Sequence, residues 1–92
     1  MIANINAAAA ALSRNDLLSA ERYLDMVHSN TNLSEYNNAI GVLMLLKGEY
    51  EKGEKYLKIA SESGLEAAGH NLEELARKRT NAAEIEKKNR DK

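Results

Sequence analysis

The apolar residues of this chain recur every three or four positions, which is the spacing of one face of an α-helix. The pattern is clearest in two stretches, Leu17, Ala20, Leu24 and Val27, and then Gly53, Leu57 and Ala60. Alternation with period two, which marks a half-buried strand, occurs nowhere in the sequence. The pattern therefore predicts an all-α fold.

Polar residues and glycines interrupt this pattern and so mark helix ends. The breaks fall at Asn15-Asp16, Gly48-Glu49 and Ser63-Gly64. Glycine suits such a break because it adopts the left-handed conformation that ends many helices. Before the third helix, Asn32 in the sequence Asn32-x-x-Glu35, or alternatively Ser34, could cap the first turn by accepting its free N–H groups. The sequence thus predicts two helix pairs, each folded around a tight turn.

A fifth helix is expected to follow these pairs, from residue 65 to about residue 79. Its apolar stripe comprises Leu65, Ala68, Leu72, Leu75 and Ala76. Residues 81–92 then form a charged tail. This tail is expected to be either a short helix restarted at Asn81 or disordered.

The two helix pairs align with each other when the chain is shifted by 33 residues. The identical positions are Asn4/Asn37, Leu12/Leu45, Glu21/Glu54, Tyr23/Tyr56 and Leu24/Leu57. A period of this length is typical of stacked helical repeats. The predicted domain spans residues 1–80, with repeat 1 at 2–30, repeat 2 at 34–63 and a capping helix at 65–79.

The second repeat resembles a tetratricopeptide repeat, whose signature places small and large residues at fixed offsets. The matching residues are Asn37, Ile40, Gly41, Met44, Gly48, Tyr50, Gly53, Leu57 and Ala60. The first repeat matches less well, through Ala7, Ala8, Ala11, Ala20, Leu24 and Val27. The resemblance implies a right-handed α-α superhelix of two helix pairs plus a C-terminal capping helix.

Both repeats depart from the family at their ends. Each begins with asparagine where the family has a large aromatic residue, and each lacks the closing proline. The junction at residues 60–72 is similar to that of Sel1-like repeats, which are near relatives. The whole chain is also similar to the repeat segment at the end of some Bacteroidota-type bacterial cell-envelope proteins. This likeness implies a cytoplasmic or periplasmic location within a larger protein.

The pattern also predicts the packing of the core. Small residues are expected where helices cross closely, at Ala8, Ala20, Gly41, Gly53 and Ala60. Large residues are expected to fill the spaces between layers, at Leu24, Met44, Tyr50 and Leu57. If the crossing at Gly53 has room for a methyl group, Gly53→Ala should stabilise the domain, because glycine inside a helix costs roughly 0.5–1 kcal/mol.

Tetratricopeptide domains bind extended peptides or partner helices on the concave face formed by the first helix of each pair. Carried over by motif position, that face comprises Ile5, Asn6, Ala9, Leu12, Glu35, Asn38, Val42, Leu45, His70, Asn71, Glu74 and Arg77. Asparagine suits a peptide site because its amide both donates and accepts hydrogen bonds. The alternative is that these asparagines are helix-surface or capping residues.

The family's clamp of Lys, Asn and Arg around a terminal carboxylate is missing. The corresponding positions hold Ile5, Ala9 and Ala39. A face more apolar than charged favours a hydrophobic helix or a neighbouring repeat as the partner. Weak association of the chain with itself is a further expectation. A purely structural role, in which the stack binds no separate ligand, remains open.

The sequence contains no grouping of residues that predicts an enzyme or a cofactor site. Cysteine is absent, and the two histidines, His28 in the first repeat and His70 in the capping helix, lie in different units without converging metal ligands. The acidic pairs at 49/51 and 73/74 have no nucleophile or base near them in sequence. No glycine-rich phosphate loop is present. We therefore expect a binding protein without cofactor or metal.

Charge is distributed unevenly along the chain. Residues 1–76 hold 6 Lys/Arg against 11 Asp/Glu, a net −5, and residues 77–92 hold 7 against 3, a net +4. This basic tail, residues 77–92, could contact nucleic acid or anionic lipid weakly, although Glu84, Glu86 and Asp91 dilute its charge. No targeting signal or apolar span is visible, since the longest apolar run, residues 7–12, is mostly alanine.

Overall fold

The computed structural model describes residues 2–27 and 33–90. Its helices are α1 (Ile2–Ser13), α2 (Leu17–Asp25), α3 (Ser34–Leu46), α4 (Tyr50–Glu62) and α5 (Glu66–Arg90). The described ranges contain no β-strand, so the prediction of an all-α fold is confirmed. The predicted end of repeat 1, the proposed Asn32 cap and His28 lie outside the described residues.

The same turn ends α1, α3 and α4, at the three predicted breaks. Asn15, Gly48 and Gly64 adopt left-handed φ values of 60°, 83° and 96°. At the second turn the Gly48 N–H donates to the Leu45 carbonyl at 3.1 Å, and the Glu49 N–H donates to the Met44 carbonyl at 2.8 Å. These paired bonds form a Schellman motif, which satisfies carbonyls that the helix end leaves free.

The helix starts differ from one another in how they are capped. The Asp16 carboxylate accepts a hydrogen bond from the Ser19 backbone N–H at 3.2 Å, and the bonds to Ser19 lower the pKa of Asp16. This contribution to stability is therefore present above the unfolded pKa of Asp16 and is lost as pH falls through the folded value. For α3, Leu33 occupies the N-cap position and Ser34 is already helical. The predicted Ser34 cap is therefore wrong.

The turn at Gly48 gives a stability prediction. A Cβ at Gly48 would meet no atom within 4 Å, so the cost of Gly48→Ala comes from the left-handed backbone alone. We expect a loss of about 1–2 kcal/mol, measured by urea denaturation. Gly69→Ala is the matched control, because Gly69 is helical with only the Ser61 hydroxyl near, at 3.9 Å. It should gain roughly 0.5–1 kcal/mol. Equal effects of the two changes would contradict the left-handed turn.

The helices pack as successive neighbours in two layers. α1 contacts α2, α3 contacts α4, and α4 contacts α5, while α3 also touches α1, α2 and α5. Partners joined by such short turns run antiparallel. Within the described ranges α2 and α4 do not contact each other. The helices α1, α3 and α5 thus lie side by side as one layer, with α2 and α4 behind them.

The predicted small residues lie where the helices approach most closely. Ala8, Ala20 and Ala60 have no exposed surface, and Gly41 and Gly53 are buried. A Cβ at Gly53 would lie 3.1 Å from the Gly41 carbonyl oxygen. There is no free room for a methyl group there, so the stabilisation that we expected of Gly53→Ala does not follow from this packing.

The large residues of the core are only partly those predicted. Leu24 and Leu57 are buried, as expected, whereas Met44 and Tyr50 are half-buried. Leu57 and Leu75 are the largest side chains that are fully buried among the described residues. One cluster joins α1, α2 and α3, and a second joins α3, α4 and α5.

The fifth helix is longer than predicted. It continues through Asn81 as far as Arg90, the last described residue, so no break follows residue 79. The reason is that residues 80–84 include no glycine or proline that would end a helix, and the two alanines there favour its continuation. Residues 79–87 are exposed. The end of α5 therefore projects beyond the two layers.

Candidate functional site: a groove across the first helices

A groove of about 430 Å³ crosses the layer formed by α1, α3 and the start of α5. Its lining comprises Ile5, Asn6, Ala9, Leu12, Ser13, Glu35, Asn38, Ala39, Val42, Leu65 and Ala67. Ile5, Leu12 and Ala39 are buried and form its floor, whereas Asn6 and Ala9 are exposed on its wall. The groove is thus apolar at its base, with a few polar groups along its sides.

Alanines in α1 keep this groove open. The helix carries the sequence Ile2-Ala-Asn-Ile-Asn-Ala-Ala-Ala-Ala-Ala-Leu-Ser13, which holds no charged residue and only three large apolar ones. Ala8 and Ala11 pack into the core, and Ala9 faces the groove. A side chain of one carbon at Ala9 leaves space that a leucine would fill. The groove therefore exists because the side chains on this face of α1 are short alanines, although the face is otherwise well packed.

Two asparagines form a hydrogen bond beside the groove. The Asn71 Nδ2 of α5 donates to the Asn38 Oδ1 of α3 at 2.8 Å, and both side chains are half-buried. The two residues are 33 positions apart, so the bond links equivalent places in successive units. Each amide keeps one further group able to bond, a donor on Asn38 and an acceptor on Asn71. This is the arrangement that could receive a peptide main chain.

Seven of the residues predicted for the binding face line the groove together, namely Ile5, Asn6, Ala9, Leu12, Glu35, Asn38 and Val42. Asn71 joins them through its bond to Asn38. The structure does not place Leu45 there. Leu45 is 5% exposed and packs with Leu57 and Leu75 in the second core cluster. Its assignment to the binding face is therefore corrected to a core position.

The predicted residues of α5 beyond Asn71 lie away from the groove. His70 is exposed and borders a separate shallow depression with Ser61 and Glu73. Glu74 and Arg77 form an ion pair at 2.5 Å, which lowers the pKa of Glu74 and raises that of Arg77. These three side chains do not contribute to the groove lining.

Four groove residues were not predicted from the sequence: Ser13, Ala39, Leu65 and Ala67. The sequence drew attention to Ala39 only because it stands where some tetratricopeptide domains carry a residue that binds a terminal carboxylate. Leu65 and Ala67 enter because the turn before α5 brings the start of that helix beside α3. A shift of 33 residues carries the start of α3 onto the start of α5. The sequence repeat could therefore have indicated that the start of α5 lies beside α3 in the same layer.

Among the described residues, the groove lining carries one charged side chain, that of Glu35, and two charged residues adjoin the lining in sequence, Arg14 after Ser13 and Glu66 after Leu65. Glu35 in the first turn of α3 lines the groove, and Glu66 in the first turn of α5 directly follows the lining residue Leu65. Both carboxylates lie at helix N-termini, where the helix dipole stabilises them. This end of the groove is therefore acidic, and its α1 wall is uncharged.

Other kinds of site find no support in the described part of the chain. No group of three or more His, Asp or Glu side chains converges there in a way that could hold a metal ion. Over residues 2–27 and 33–90, no helix has both the length and the apolar composition that a bilayer span requires.

The chain matches no protein-family model, no curated protein and no solved structure. What can be inferred about its function comes from its own residues and their packing.

Proposed function

We propose that this chain is a protein-interaction module, a right-handed stack of tetratricopeptide-like helix pairs that holds a peptide or partner helix in the groove across α1, α3 and α5. The packing order supports the stack, because each first helix contacts its own partner and the next first helix. The turns at residues 15 and 48 share one geometry and connect the two helices of each pair, and the turn at residue 64 repeats that geometry between the second pair and α5.

The apolar floor of the groove is the observation that carries this proposal. Around the buried floor of Ile5, Leu12 and Ala39, the apolar side chains of Ala9, Val42, Leu65 and Ala67 stay partly or fully exposed and leave apolar area in contact with water. Covering that area with an apolar side chain is favourable by roughly 25 cal/mol per Å². The function that follows is binding without a chemical step.

The polar groups beside the floor fit a protein partner better than a small charged ligand. Asn6 and Asn38 offer amides, and Asn71 is held beside them by its bond to Asn38. The described residues of the lining include no lysine or arginine, so they offer no cation to neutralise a carboxylate or phosphate of a ligand. A partner with helically spaced apolar side chains is therefore the class that we propose.

The basic tail is less available for nucleic acid than its sequence suggests. Arg79 bonds to Glu54 at 3.1 Å, and Arg77 bonds to Glu74. Lys58 and then Arg79 hold the pKa of Glu54 below its usual value. Two cations of the tail are thus paired within the protein, which favours the groove over the tail as the binding surface.

A display selection with random 16-residue peptides tests the proposal. Peptides enriched on the whole chain should carry apolar residues three and four positions apart. Ala9→Glu places a carboxylate on the wall of the groove, where a bound apolar side chain would desolvate it. It should weaken binding of the enriched peptides by about tenfold or more.

Leu18→Glu is the matched control. Leu18 is 69% exposed on α2, in the layer behind the groove, so the same charge there should leave the affinity unchanged. Circular dichroism would show that both variants keep the helical content of the wild type. Failure to enrich any peptide, or equal loss of affinity in both variants, would contradict the proposed function.

A further inference from the structure

Part of the groove belongs to the last helix of the described chain. Leu65, in the turn before α5, and Ala67, in the first turn of α5, line the groove beside α1 and α3. Leu65 is half-buried and Ala67 is exposed, so both keep surface that a partner can cover. An apolar partner that fills the groove therefore contacts α5 as well as α1 and α3. The groove is complete only while α5 lies against α3.

The buried attachment of α5 lies behind the groove, against α4. Leu75 is 2% exposed and packs with Leu57 in the second core cluster. It occupies the space over Gly53, where a Cβ would come within 3.1 Å of Leu75 Cδ1. Arg79 adds an ion pair with Glu54 of α4 at 3.1 Å. None of these residues lines the groove, so the wall formed by α5 is positioned from outside the groove.

Beside the groove itself, α5 meets α3 through a polar contact. The Asn71 amide donates to the Asn38 carbonyl oxygen at 2.8 Å, and both side chains are half-buried. Packing between α5 and α3 is sparser than packing between α5 and α4. Elements with few packed neighbours are the parts of a fold that open most readily. The position of the α5 wall therefore depends mainly on how firmly Leu75 holds the helix to α4.

We propose that Leu75 is a positioning residue for the groove, and that docking of α5 and binding of the partner stabilise each other. This inference rests on the proposed function, since it concerns the same groove. A partner that contacts Leu65 and Ala67 binds the docked arrangement more tightly than one in which α5 is loosened, and so shifts the population towards it. By the same linkage, a change that loosens α5 weakens binding in proportion to the fraction of molecules that stay docked.

Truncation of Leu75 tests this coupling, with one of the 16-residue peptides enriched on the whole chain as the probe. Leu75→Ala should weaken binding of that peptide by about fivefold or more, because fewer molecules keep α5 docked. Leu75→Met conserves the volume of the side chain and should bind within about twofold of the wild type. Gly48→Ala is the matched control, since it destabilises a turn that lies outside the groove lining. Its affinity should stay at the wild-type value.

Hydrogen exchange of the wild-type chain supplies a second measurement that needs no variant. Saturating peptide should slow the amides of residues 70–76 by a factor of one plus the ratio of free peptide concentration to Kd, as expected when only the docked form binds. The amides of residues 80–87, on the exposed end of α5, should keep their rates.

Two results would overturn the coupling and leave the groove as the binding surface. One is unchanged exchange at residues 70–76 while the peptide is bound. The other is a wild-type affinity for Leu75→Ala. Enrichment of no peptide at all would instead remove the proposed function, and this inference with it.

Discussion

Replacing Leu57 by alanine should lower the free energy of unfolding by about 2–5 kcal/mol. The side chain has no exposed surface and packs with Leu45 and Leu75, so it joins α3, α4 and α5 in one cluster. Its removal leaves a cavity that three helices line, and these can close only partly. Urea denaturation followed by circular dichroism measures the change.

Ile59→Ala is the matched control for this variant. Ile59 lies on the same helix two residues away and is 41% exposed, so its truncation creates no cavity. Its effect should be well below that of Leu57→Ala. Native domains are stable by only about 5–15 kcal/mol, so the Leu57 variant should lose a large share of its stability. Equal midpoints for both variants would show that Leu57 does not join these helices.

The second large effect is expected from Gly41→Ala, which adds a single methyl group where α3 crosses α4. The new Cβ would lie 2.5 Å from Leu57 Cγ and 2.7 Å from Leu57 Cδ2, closer than unbonded carbons approach. Overpacking of this kind costs typically 1–3 kcal/mol, although alanine favours a helix over glycine. The destabilisation should be measured in urea beside that of Leu57→Ala.

The double variant tests the geometry of this crossing. Gly41→Ala with Leu57→Ala removes the two atoms that clash, leaving the Gly53 carbonyl oxygen as the close neighbour at 3.2 Å. Its loss of stability should therefore be smaller than the sum of the two single losses, by the 0.5–3 kcal/mol that is typical of residues in contact. Strictly additive losses would mean that these side chains do not meet.

Local signals in the sequence were sufficient for the turns and for part of the core. Glycine at positions 48 and 64 and asparagine at position 15 predict helix ends because few other residues adopt positive φ at little cost. Leu57 was predicted to be buried from its spacing to Gly53 and Ala60. These predictions succeeded because each depends on residues that are close in the chain.

Features that depend on distant residues were harder to predict. Leu45 occupies a helix face between the groove and the core, and only the position of Leu75, thirty residues later, assigns it to the core. The bond between Asn71 and Asn38 depends on the separation of α3 and α5, which no local pattern encodes. The length of α5 was missed because Asn81 can cap a helix but can also lie within one.

The sequence predicted which helices begin the binding face, but it did not predict how far that face extends along α5. Motif positions placed the face on α1 and α3, where seven of the predicted residues line the groove. The same positions extended it along α5 to His70, Glu74 and Arg77, which the structure places elsewhere. How far the groove extends onto α5 depends on the angle between neighbouring helices, and that angle is set by side-chain packing at every crossing.

Mapping of amide chemical shifts tests most directly whether this groove is the binding surface. A selected peptide would be added to the isotope-labelled chain, and the shift of each assigned amide followed. We expect the largest changes at the amides of Asn6, Ala9, Asn38 and Val42, with little change along α2 and α4. Changes concentrated on α2, α4 or the basic residues of α5, with the groove amides unmoved, would contradict it.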